Sequence, residues 1–391
     1  MTAFSPALDH LLAPQEQVDA LRVEALKHGG RSFADLAYAN SYDGPPPEAV
    51  AALRRAIDAA GSLALQYTPY GGTTVSRRLV AESLRDSHQE AFALKDVVLT
   101  PGAMAALNIA FRSVRRDGEQ SEVLVITPCW LDYPLYLENL GLVPRLVPLD
   151  ARTMRLDLPA IEAALTPRTR AIILSQPGNP TGVIYGRDEL AQLGELLSRA
   201  PSRPLLISDE CHRDLVFAPH QFVPPSAFYD RTCIVYSFGK KLFLQGQRLG
   251  YVAVSPRHPE RQAVARQFEQ LTRVMGFCTP TALMQLAVGD LLRIRPALDG
   301  IKRRRDQALA GLVAGGFEVV PSQATFFLYP RAPGGDDHTF VTRLARRGVF
   351  VLPASIFHHQ GYFRLSFTAS DEMLDRALKV IAETGETGRS S

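Results

Sequence analysis

The sequence predicts an α/β protein, with a mostly parallel sheet covered by helices on both faces and joined to a smaller α+β domain. Two observations carry this prediction. Through most of the chain, short and continuously apolar runs alternate with longer amphipathic stretches. Beyond about Pro296, strand-like and helix-like segments follow one another without that rhythm.

Five apolar runs are predicted as strands of the large domain. They are EVLVITP (122–128), RAIILSQP (170–177), PLLISDE (204–210), CIVYSFG (233–239) and LGYVAVS (249–255). Amphipathic stretches such as DLPAIEAALTP and RDELAQLGELLSRA lie between some of them and are predicted as helices. Strands that are apolar throughout and separated by helices indicate a parallel sheet buried on both faces.

The C-terminal part of the chain predicts the smaller domain. A basic helical segment (297–316) leads to the strand-like EVVPSQATFFLYP (318–330), a helix, the strand-like VFVLPASIFHHQGYFRLSFTAS (349–370) and a last helix. An amphipathic helix at the start of the chain is expected to join this domain. We therefore expect residues 1–45 to join the small domain, 46–290 to form the large domain and 291–391 the small C-terminal domain.

Composition limits the classes of function. The chain has 391 residues, is 46% hydrophobic and carries 43 basic against 40 acidic residues, so its net charge is only +3. Its basic clusters are short and scattered, and neither a nucleic-acid partner nor a membrane partner is expected. The start of the chain lacks a basic leader followed by an apolar core, which predicts a cytoplasmic protein.

The cysteines and histidines indicate no metal site. The four cysteines (Cys129, Cys211, Cys233 and Cys278) are far apart and lie in apolar or strand-like surroundings. Reduced, buried thiols are therefore expected. No spacing of His, Cys and Asp side chains is typical of a metal centre.

Unusual residues follow several predicted strands at their carboxyl ends. Asn179 lies in a turn after one strand, Asp209 ends a second, Ser237 and Lys240 follow a third, and Trp130, the only tryptophan, follows a fourth. Each alone has a structural explanation in a turn, a helix cap or a core. Ligands of open α/β sheets bind at this edge, so together the residues predict a binding site.

These groups fit the chemistry of one small molecule, pyridoxal 5′-phosphate. Its aldehyde condenses with a lysine, its ring nitrogen needs an anionic partner, and its ring stacks on an aromatic side chain. Its phosphate needs donors, and TPGAMAALNIAF (100–111) predicts a turn followed by a helix start with free N–H groups at Ala103 and Met104.

From about Ala39 to Phe367 the chain resembles the fold-type-I pyridoxal-phosphate enzymes, specifically the class I and II aminotransferases. SFGKKLFLQGQRLGY (237–251) is similar to their lysine signature, with serine three residues before the lysine, glycine six after and arginine eight after. Counted back from Gly246 and Arg248, the lysine that forms the Schiff base is Lys240. Lys241 is one residue too close to Gly246 and Arg248 to match this spacing, and it is expected to be structural or exposed. The resemblance also implies a seven-stranded sheet.

The resemblance implies further roles for residues that contact the cofactor. PGNPTG (177–182), SDECHRDLVF (208–217) and PCWLDYP (128–134) match its motifs for the phenolic oxygen, the ring nitrogen and the stacking ring. The residues carried over are Asn179 for the phenolic oxygen, Asp209 for the ring nitrogen, Trp130 for the ring, and Ser237, Arg248 and the amides of Ala103 and Met104 for the phosphate.

The resemblance also implies a partner subunit and a substrate clamp. QYTPYGGT (66–73) resembles the segment whose tyrosine reaches the phosphate of the neighbouring subunit, which assigns Tyr67 and a homodimer with composite sites. GYFRLSF (361–367) resembles the substrate motif, in which Arg364 binds the α-carboxylate of an amino acid. Asn40 and Asn179 are expected to lie beside that substrate.

The chain departs from the family pattern at several positions. His212 stands where the family usually has a tyrosine that bonds the phenolic oxygen, and an imidazole can donate a similar bond. Gly239 replaces a frequent serine, Asn40 stands about where many members have a glycine, and Ala354 and His358 replace common glycines. These departures leave the reaction and the substrate open.

The leading prediction is an aminotransferase that moves an amino group from an α-amino acid to a keto acid. The alternatives are another pyridoxal-phosphate reaction on the same scaffold, namely elimination, replacement or a bond-forming cyclisation, and a non-catalytic binding module. The substrate side chain cannot be inferred from the residues that the resemblance assigns to its pocket: Tyr38, Tyr42, Tyr70, Arg273 and Phe277.

Overall fold

The computed structural model describes residues 6–276 and 279–389. Its helices are α1 (Pro6–Gly29), α2 (Pro47–Asp58), α3 (Thr74–His88), α4 (Ala103–Val114), α5 (Asp132–Asn139), α6 (Leu158–Ala164), α7 (Arg187–Arg199), α8 (Phe238–Leu242), α9 (Arg261–Met275), α10 (Ala282–Arg293), α11 (Leu298–Ala314), α12 (Asp337–Ala345) and α13 (Asp371–Arg389). Its strands are β1 (Ala34–Asp35), β2 (Val97–Thr100), β3 (Glu122–Thr127), β4 (Val143–Pro148), β5 (Thr169–Ser175), β6 (Leu205–Asp209), β7 (Thr232–Ser237), β8 (Gly250–Val254), β9 (Phe327–Leu328), β10 (Val349–Phe350), β11 (Leu352–Pro353) and β12 (Phe363–Ser366).

The centre of the described chain is a seven-stranded sheet in the order β2-β8-β7-β6-β5-β3-β4. Strands β4, β3, β5, β6 and β7 are parallel, and β8 runs antiparallel to both of its neighbours. The five predicted runs form β3, β5, β6, β7 and β8, so the prediction of a mostly parallel, seven-stranded α/β sheet is confirmed. The edge strands β2 and β4 were not predicted. Strand β4 contains two prolines, which an edge strand tolerates because one of its sides needs no ladder bonds.

Both faces of the sheet are buried, which explains the apolar strands. Alternate residues of one strand enter different cores: Val123 and Val125 pack with α4 and α9, whereas Leu124 and Ile126 pack with α6 and α7. A third core lies at the β2 end of the sheet, where α2, α3 and α10 pack. In the five inner strands the charged residues therefore lie at or next to the strand ends, where the loops begin, whereas the edge strand β4 has the exposed Arg145 in its middle.

The start of the chain packs against its C-terminal part. Strand β1 pairs in parallel with β10, and α1 packs on α12. Strands β11, β12 and β9 form an antiparallel three-stranded sheet, and α11 packs on α13 beside it. The domain boundaries at 45 and 290 stay a prediction.

The described residues contain neither a membrane-spanning helix nor a cluster of metal ligands. None of the described helices has the length and apolar character needed to cross a membrane. Within residues 6–276 and 279–389, no group of three His, Cys, Asp or Glu side chains is arranged to hold a metal ion. Cys129, Cys211 and Cys233 are buried free thiols, and Cys278 lies outside the described residues.

Candidate active site

A cavity of about 180 Å³ lies at the carboxyl edge of the central sheet. Strands β6 and β7 end there at Asp209 and Ser237, because parallel strands point their carboxyl ends to one edge. The cavity brings together nine residues that the sequence assigned to the cofactor: Ala103, Met104, Trp130, Asn179, Asp209, His212, Ser237, Lys240 and Arg248.

The two adjacent lysines have different environments. Successive residues of a helix point about 100° apart, so only one of the pair in α8 can face the cavity. Lys240 lines the cavity. The Lys241 amine donates a hydrogen bond to the Leu292 carbonyl at 3.1 Å and lies 3.7 Å from Asp214 Oδ1. Lys241 is therefore a buried structural residue and not an exposed one.

The Lys240 amine is held in a poorly solvated place. Burial lowers its pKa to about 8, the charges of Arg364 and Arg248 act in the same direction, and Cys211 and Asp209 oppose them. The amine lies 5.7 Å from the centre of the Phe326 ring. The unprotonated amine, which can act as a nucleophile or base, therefore becomes the main form above a pH of about 8, well below the pH that a free lysine requires.

Asp209 provides a buried carboxylate at the end of β6. Its Oδ1 accepts from the Cys211 amide at 3.1 Å, and its Oδ2 accepts a short bond from the Tyr133 hydroxyl. Burial raises the pKa of Asp209, and the Tyr133 and Cys211 bonds together with Lys240 oppose that rise. A buried carboxylate of this kind favours a cationic N–H as its next partner.

The anion-binding end of the cavity is formed by α4 and Arg248. Gly102, at φ 85°, precedes α4, whose first residues are Ala103 and Met104, and no side chain caps this helix start. A Cβ at position 102 would collide with the Arg248 guanidinium, so glycine is required for Arg248 to lie there. Arg248 donates to the Gln245 carbonyl at 2.6 Å. Free amides and a guanidinium together are suited to a phosphate.

Arg364 on β12 is a buried cation beside the cavity. It donates to Asn179 Oδ1 at 3.2 Å and to the Ala37 carbonyl at 2.8 Å, and its guanidinium lies 4.1 Å from the centre of the Phe327 ring. Its Nε is buried without a partner, and no Asp or Glu of the described residues forms an ion pair with it. Burial lowers the pKa of Arg364. A buried cation with an unused donor requires an anion.

Comparison with known proteins identifies the family of this chain. Residues 13–381 match the family model described as aminotransferase class I and II. The chain belongs to this family. It is therefore an enzyme that transfers amino groups, and members of this aminotransferase family generally depend on pyridoxal phosphate.

Individual relatives agree with the family match. The aminotransferase is 30% identical over 370 residues to the aspartate/prephenate aminotransferase of Thermus thermophilus, across 93% of this chain and 94% of that protein. It is 31% identical over 373 residues to the probable N-succinyldiaminopimelate aminotransferase of Mycobacterium tuberculosis, across 88% and 90% of the two chains. The crystal structure of an amino transferase from Eubacterium rectale has the same fold, with a TM-score of 0.92 over 99% of both chains at 24% identity.

Within the cavity, His212 is the main difference between this aminotransferase and the usual pattern of its family, which has a tyrosine at this position. Its ring contacts Phe326 and Phe327 edge-on, and its Nε2 is buried without a partner among the described residues. Burial lowers the pKa of His212 well below its usual value, and the charges of Lys240 and Arg364 add to this. The ring is therefore neutral at pH 7, and one of its nitrogens can still donate a hydrogen bond.

Of the other departures, the structure explains the glycine at position 239 and shows why glycine is common at position 358. A side chain at Gly239 would collide with the backbone of Gln245, so the serine that is frequent there does not fit this chain. His358 has a left-handed backbone with φ 57°, a conformation that favours glycine. Ala354, by contrast, is fully buried in the core of the C-terminal part.

Several predicted residues lie outside the cavity. Tyr67 is fully exposed, and its ring contributes nothing to the cavity of its own subunit. Asn40 is exposed and is not among the lining residues. Tyr70 and Arg273 contact each other on the outer surface, with 5.6 Å from the guanidinium carbon to the ring centre. Phe277 lies outside the described residues.

Three contributors to the site were not predicted from the sequence. Tyr133 donates to Asp209, Cys211 lines the cavity, and the Gln245 amide bonds the Ala39 carbonyl beside it. All three lie inside motifs that were recognised. The signal that could have found them was proximity along the chain to Trp130, Asp209 and Lys240.

The lowered pKa of Lys240 gives the first testable prediction. Cofactor-free protein should combine with pyridoxal phosphate at a rate that rises with pH and levels off above about 8, because the unprotonated amine dominates beyond its pKa. A free lysine side chain, with its pKa of about 10.4, should keep gaining rate well beyond that pH. The rate is measured from cofactor absorbance in stopped flow, with N-acetyl-lysine as the control. A protein profile that follows N-acetyl-lysine would contradict the burial argument.

Proposed function

We propose that the chain is a pyridoxal-phosphate-dependent aminotransferase of α-amino acids, with Lys240 as the residue that bonds the cofactor. The observation that supports the proposal is that an amine of lowered pKa and a buried carboxylate line one cavity, and that a buried guanidinium with no ion-pair partner among the described residues lies beside it. These are the three groups that amino-group transfer needs for bond formation, electron withdrawal and substrate anchoring.

The residues fit the cofactor at each of its polar groups. Asp209 would bond the ring nitrogen, Asn179 and His212 would donate to the phenolic oxygen, and Trp130 would provide a flat apolar surface for the ring. The free amides of α4, with Ser237 and Arg248, would hold the phosphate, and all of these residues line the cavity. When bound, pyridoxal phosphate supplies an aldehyde that condenses with amines and a protonated ring that withdraws electrons from the substrate Cα.

Lys240 is the proton carrier of the proposed reaction. When it is not bonded to the cofactor, its Nζ would be able to accept the proton from the substrate Cα. Burial lowers the pKa of this amine to about 8, so it loses its proton more readily than a free lysine and its unprotonated form can accept the proton from Cα. Transfer by a placed base typically accelerates such a step by about 10²–10⁴-fold.

Arg364 orients the substrate for that transfer. Its Nη atoms are held by Asn179 and the Ala37 carbonyl, and its plane is packed between Phe327 and Phe357. A guanidinium fixed in this way can bind an α-carboxylate through paired hydrogen bonds. The anchored carboxylate fixes the position of Cα relative to Lys240, which lowers the entropic part of the barrier.

We propose an acidic amino acid as the amino donor. The proposal is supported by the names of two relatives, which refer to aspartate and to N-succinyldiaminopimelate, compounds with a carboxylate beyond the α-carboxylate. We also propose that the enzyme works in the cytoplasm, in agreement with its buried free thiols.

A single-turnover experiment tests the reaction and the donor together. Holoenzyme is mixed with each of a panel of amino acids without a keto acid acceptor, the cofactor spectrum is followed, and products are identified by mass. A keto acid in a one-to-one ratio with aminated cofactor is expected, with aspartate or glutamate reacting fastest. Loss of a side-chain group with return of the aldehyde form would instead identify an elimination or replacement enzyme.

The exposed Tyr67 leads to a prediction about assembly. If Tyr67 completes the phosphate site of a partner subunit, mixing inactive Lys240→Ala protein with an inactive Tyr67→Ala variant should restore activity. A hybrid dimer then has one site with both residues, so equal mixing should recover about a quarter of the wild-type sites. Activity is measured after subunit exchange in mild denaturant.

A matched pair provides the control for subunit mixing. Lys240 and Asp209 line the same cavity of one chain, so Lys240→Ala mixed with Asp209→Asn should restore nothing. Equal recovery in both mixtures, or full activity of a monomer in sedimentation, would show that Tyr67 acts on no partner.

A further inference from the structure

A second cavity, of about 430 Å³, lies at the edge of the sheet opposite the candidate active site. It is bounded by the amino ends of β5, β6 and β7, the end of α4 and the start of α9. We call it the arginine cavity, because four of its lining residues are arginines: Arg116, Arg170, Arg203 and Arg231. It shares no residue with the active-site cavity.

Three of these arginines already have carboxylate partners. Arg170 pairs with Glu119 at 2.5 Å, Arg203 with Asp230 at 3.0 Å and Arg231 with Glu260 at 3.2 Å. The carboxylates are 43%, 34% and 63% exposed, respectively. Ion pairs whose carboxylate is this exposed contribute little stability, so they do not fix the arginines strongly.

The stronger observation concerns donors that have no acceptor. Arg170 Nε, Arg231 Nε and the Ser202 hydroxyl are buried and have no hydrogen-bond partner among the described residues. All three belong to residues that line the arginine cavity. Buried donors without acceptors are unfavourable, so a cluster of them indicates a site for an acceptor.

Two neighbouring features also favour an anion. His258 Nδ1 accepts from the Glu260 amide at 3.0 Å, so in the neutral ring the proton lies on Nε2. Ala263 and Val264, in the first turn of the 15-residue helix α9, also line the cavity. The start of a helix carries a partial positive charge, which favours an anion nearby.

We propose that the arginine cavity binds a phosphate-like oxyanion, either free or carried by a small metabolite. A tetrahedral oxyanion offers several acceptors and matches the paired N–H groups of a guanidinium, Nε included. Small rotations of Arg170 and Arg231 would bring their Nε groups to it. The cavity is larger than one phosphate, which leaves room for the remainder of a small phosphorylated compound.

Calorimetric titration of holoenzyme tests the proposal. Inorganic phosphate and glycerol 3-phosphate are titrated separately, with chloride at equal ionic strength as the reference. Saturable binding of one anion per chain is expected. Equal affinity for both probes would identify a free oxyanion as the ligand, and tighter binding of the ester a phosphorylated metabolite. No saturable binding of either probe would overturn the proposal.

Variants distinguish this cavity from the phosphate site of the cofactor. Arg231→Gln should weaken binding by about tenfold or more, because it removes charge-assisted hydrogen bonds. Arg231→Lys keeps the charge without the paired geometry and should be intermediate. Arg168→Gln is the matched control, since Arg168 pairs with Glu122 at the same sheet edge and does not line the cavity. If Arg231→Gln and Arg168→Gln bind equally well, the anion binds elsewhere and the proposal is wrong.

Discussion

Lys240→Ala should lower kcat by at least about 10²–10⁴-fold, because it removes the base that moves the Cα proton. It also removes the amine that bonds the cofactor, so borohydride should no longer fix the cofactor to the protein. Lys241→Met is the matched control, because it removes the adjacent lysine. Its amine bonds Leu292 and lies near Asp214, away from the cavity, so this variant should keep the cofactor and most of its turnover.

The readout for this pair is peptide mapping after borohydride reduction, together with kcat and the temperature of unfolding. Lys241→Met should unfold at a lower temperature, because it leaves the Asp214 carboxylate without its cation. A cofactor label found on Lys241, or similar losses of turnover in both variants, would refute the assignment of Lys240.

The cavity residues were predictable because short motifs fix geometry over a few residues. Lys240 was distinguished from Lys241 by its distance along the chain from Gly246 and Arg248. In the structure that distance corresponds to a short helix and a turn, which bring Arg248 back to the start of α4. Within a short motif, the number of residues between two positions therefore predicts how their side chains are placed relative to each other.

Features that depend on contacts between distant segments were not predicted. The apolar composition of β8 does not reveal that this strand runs antiparallel to its neighbours, because strand direction is decided by pairing with β2 and β7. Tyr133 was recognised as part of a motif, but its bond to Asp209 joins residues 76 positions apart. The arginine cavity likewise gathers residues from the ends of several strands and helices, and scattered arginines in a sequence are typical of an ordinary surface.

Arg364→Met is expected to cost about 3–5 kcal/mol in amino-acid binding, the usual effect of removing one partner of a buried ion pair. This corresponds to a loss of roughly 10²–10⁴-fold in kcat/KM. Cofactor binding should be retained, because Arg364 is not among the residues that line the cofactor cavity. The measurements are kcat/KM for the best amino acid and the cofactor spectrum of the resting enzyme.

The decarboxylated amine of the same substrate separates a carboxylate clamp from a general packing role. The wild type should react with this amine far more slowly than with the amino acid, and Arg364→Met should remove most of that difference. Arg305→Met is the matched control: its guanidinium lies 4.5 Å from the centre of the Phe217 ring, much as Arg364 lies over Phe327, but Arg305 contacts neither the cavity nor Asn179. If Arg305→Met loses as much as Arg364→Met, the effect is one of packing. If the wild-type enzyme uses the amine as well as the amino acid, Arg364 binds no α-carboxylate.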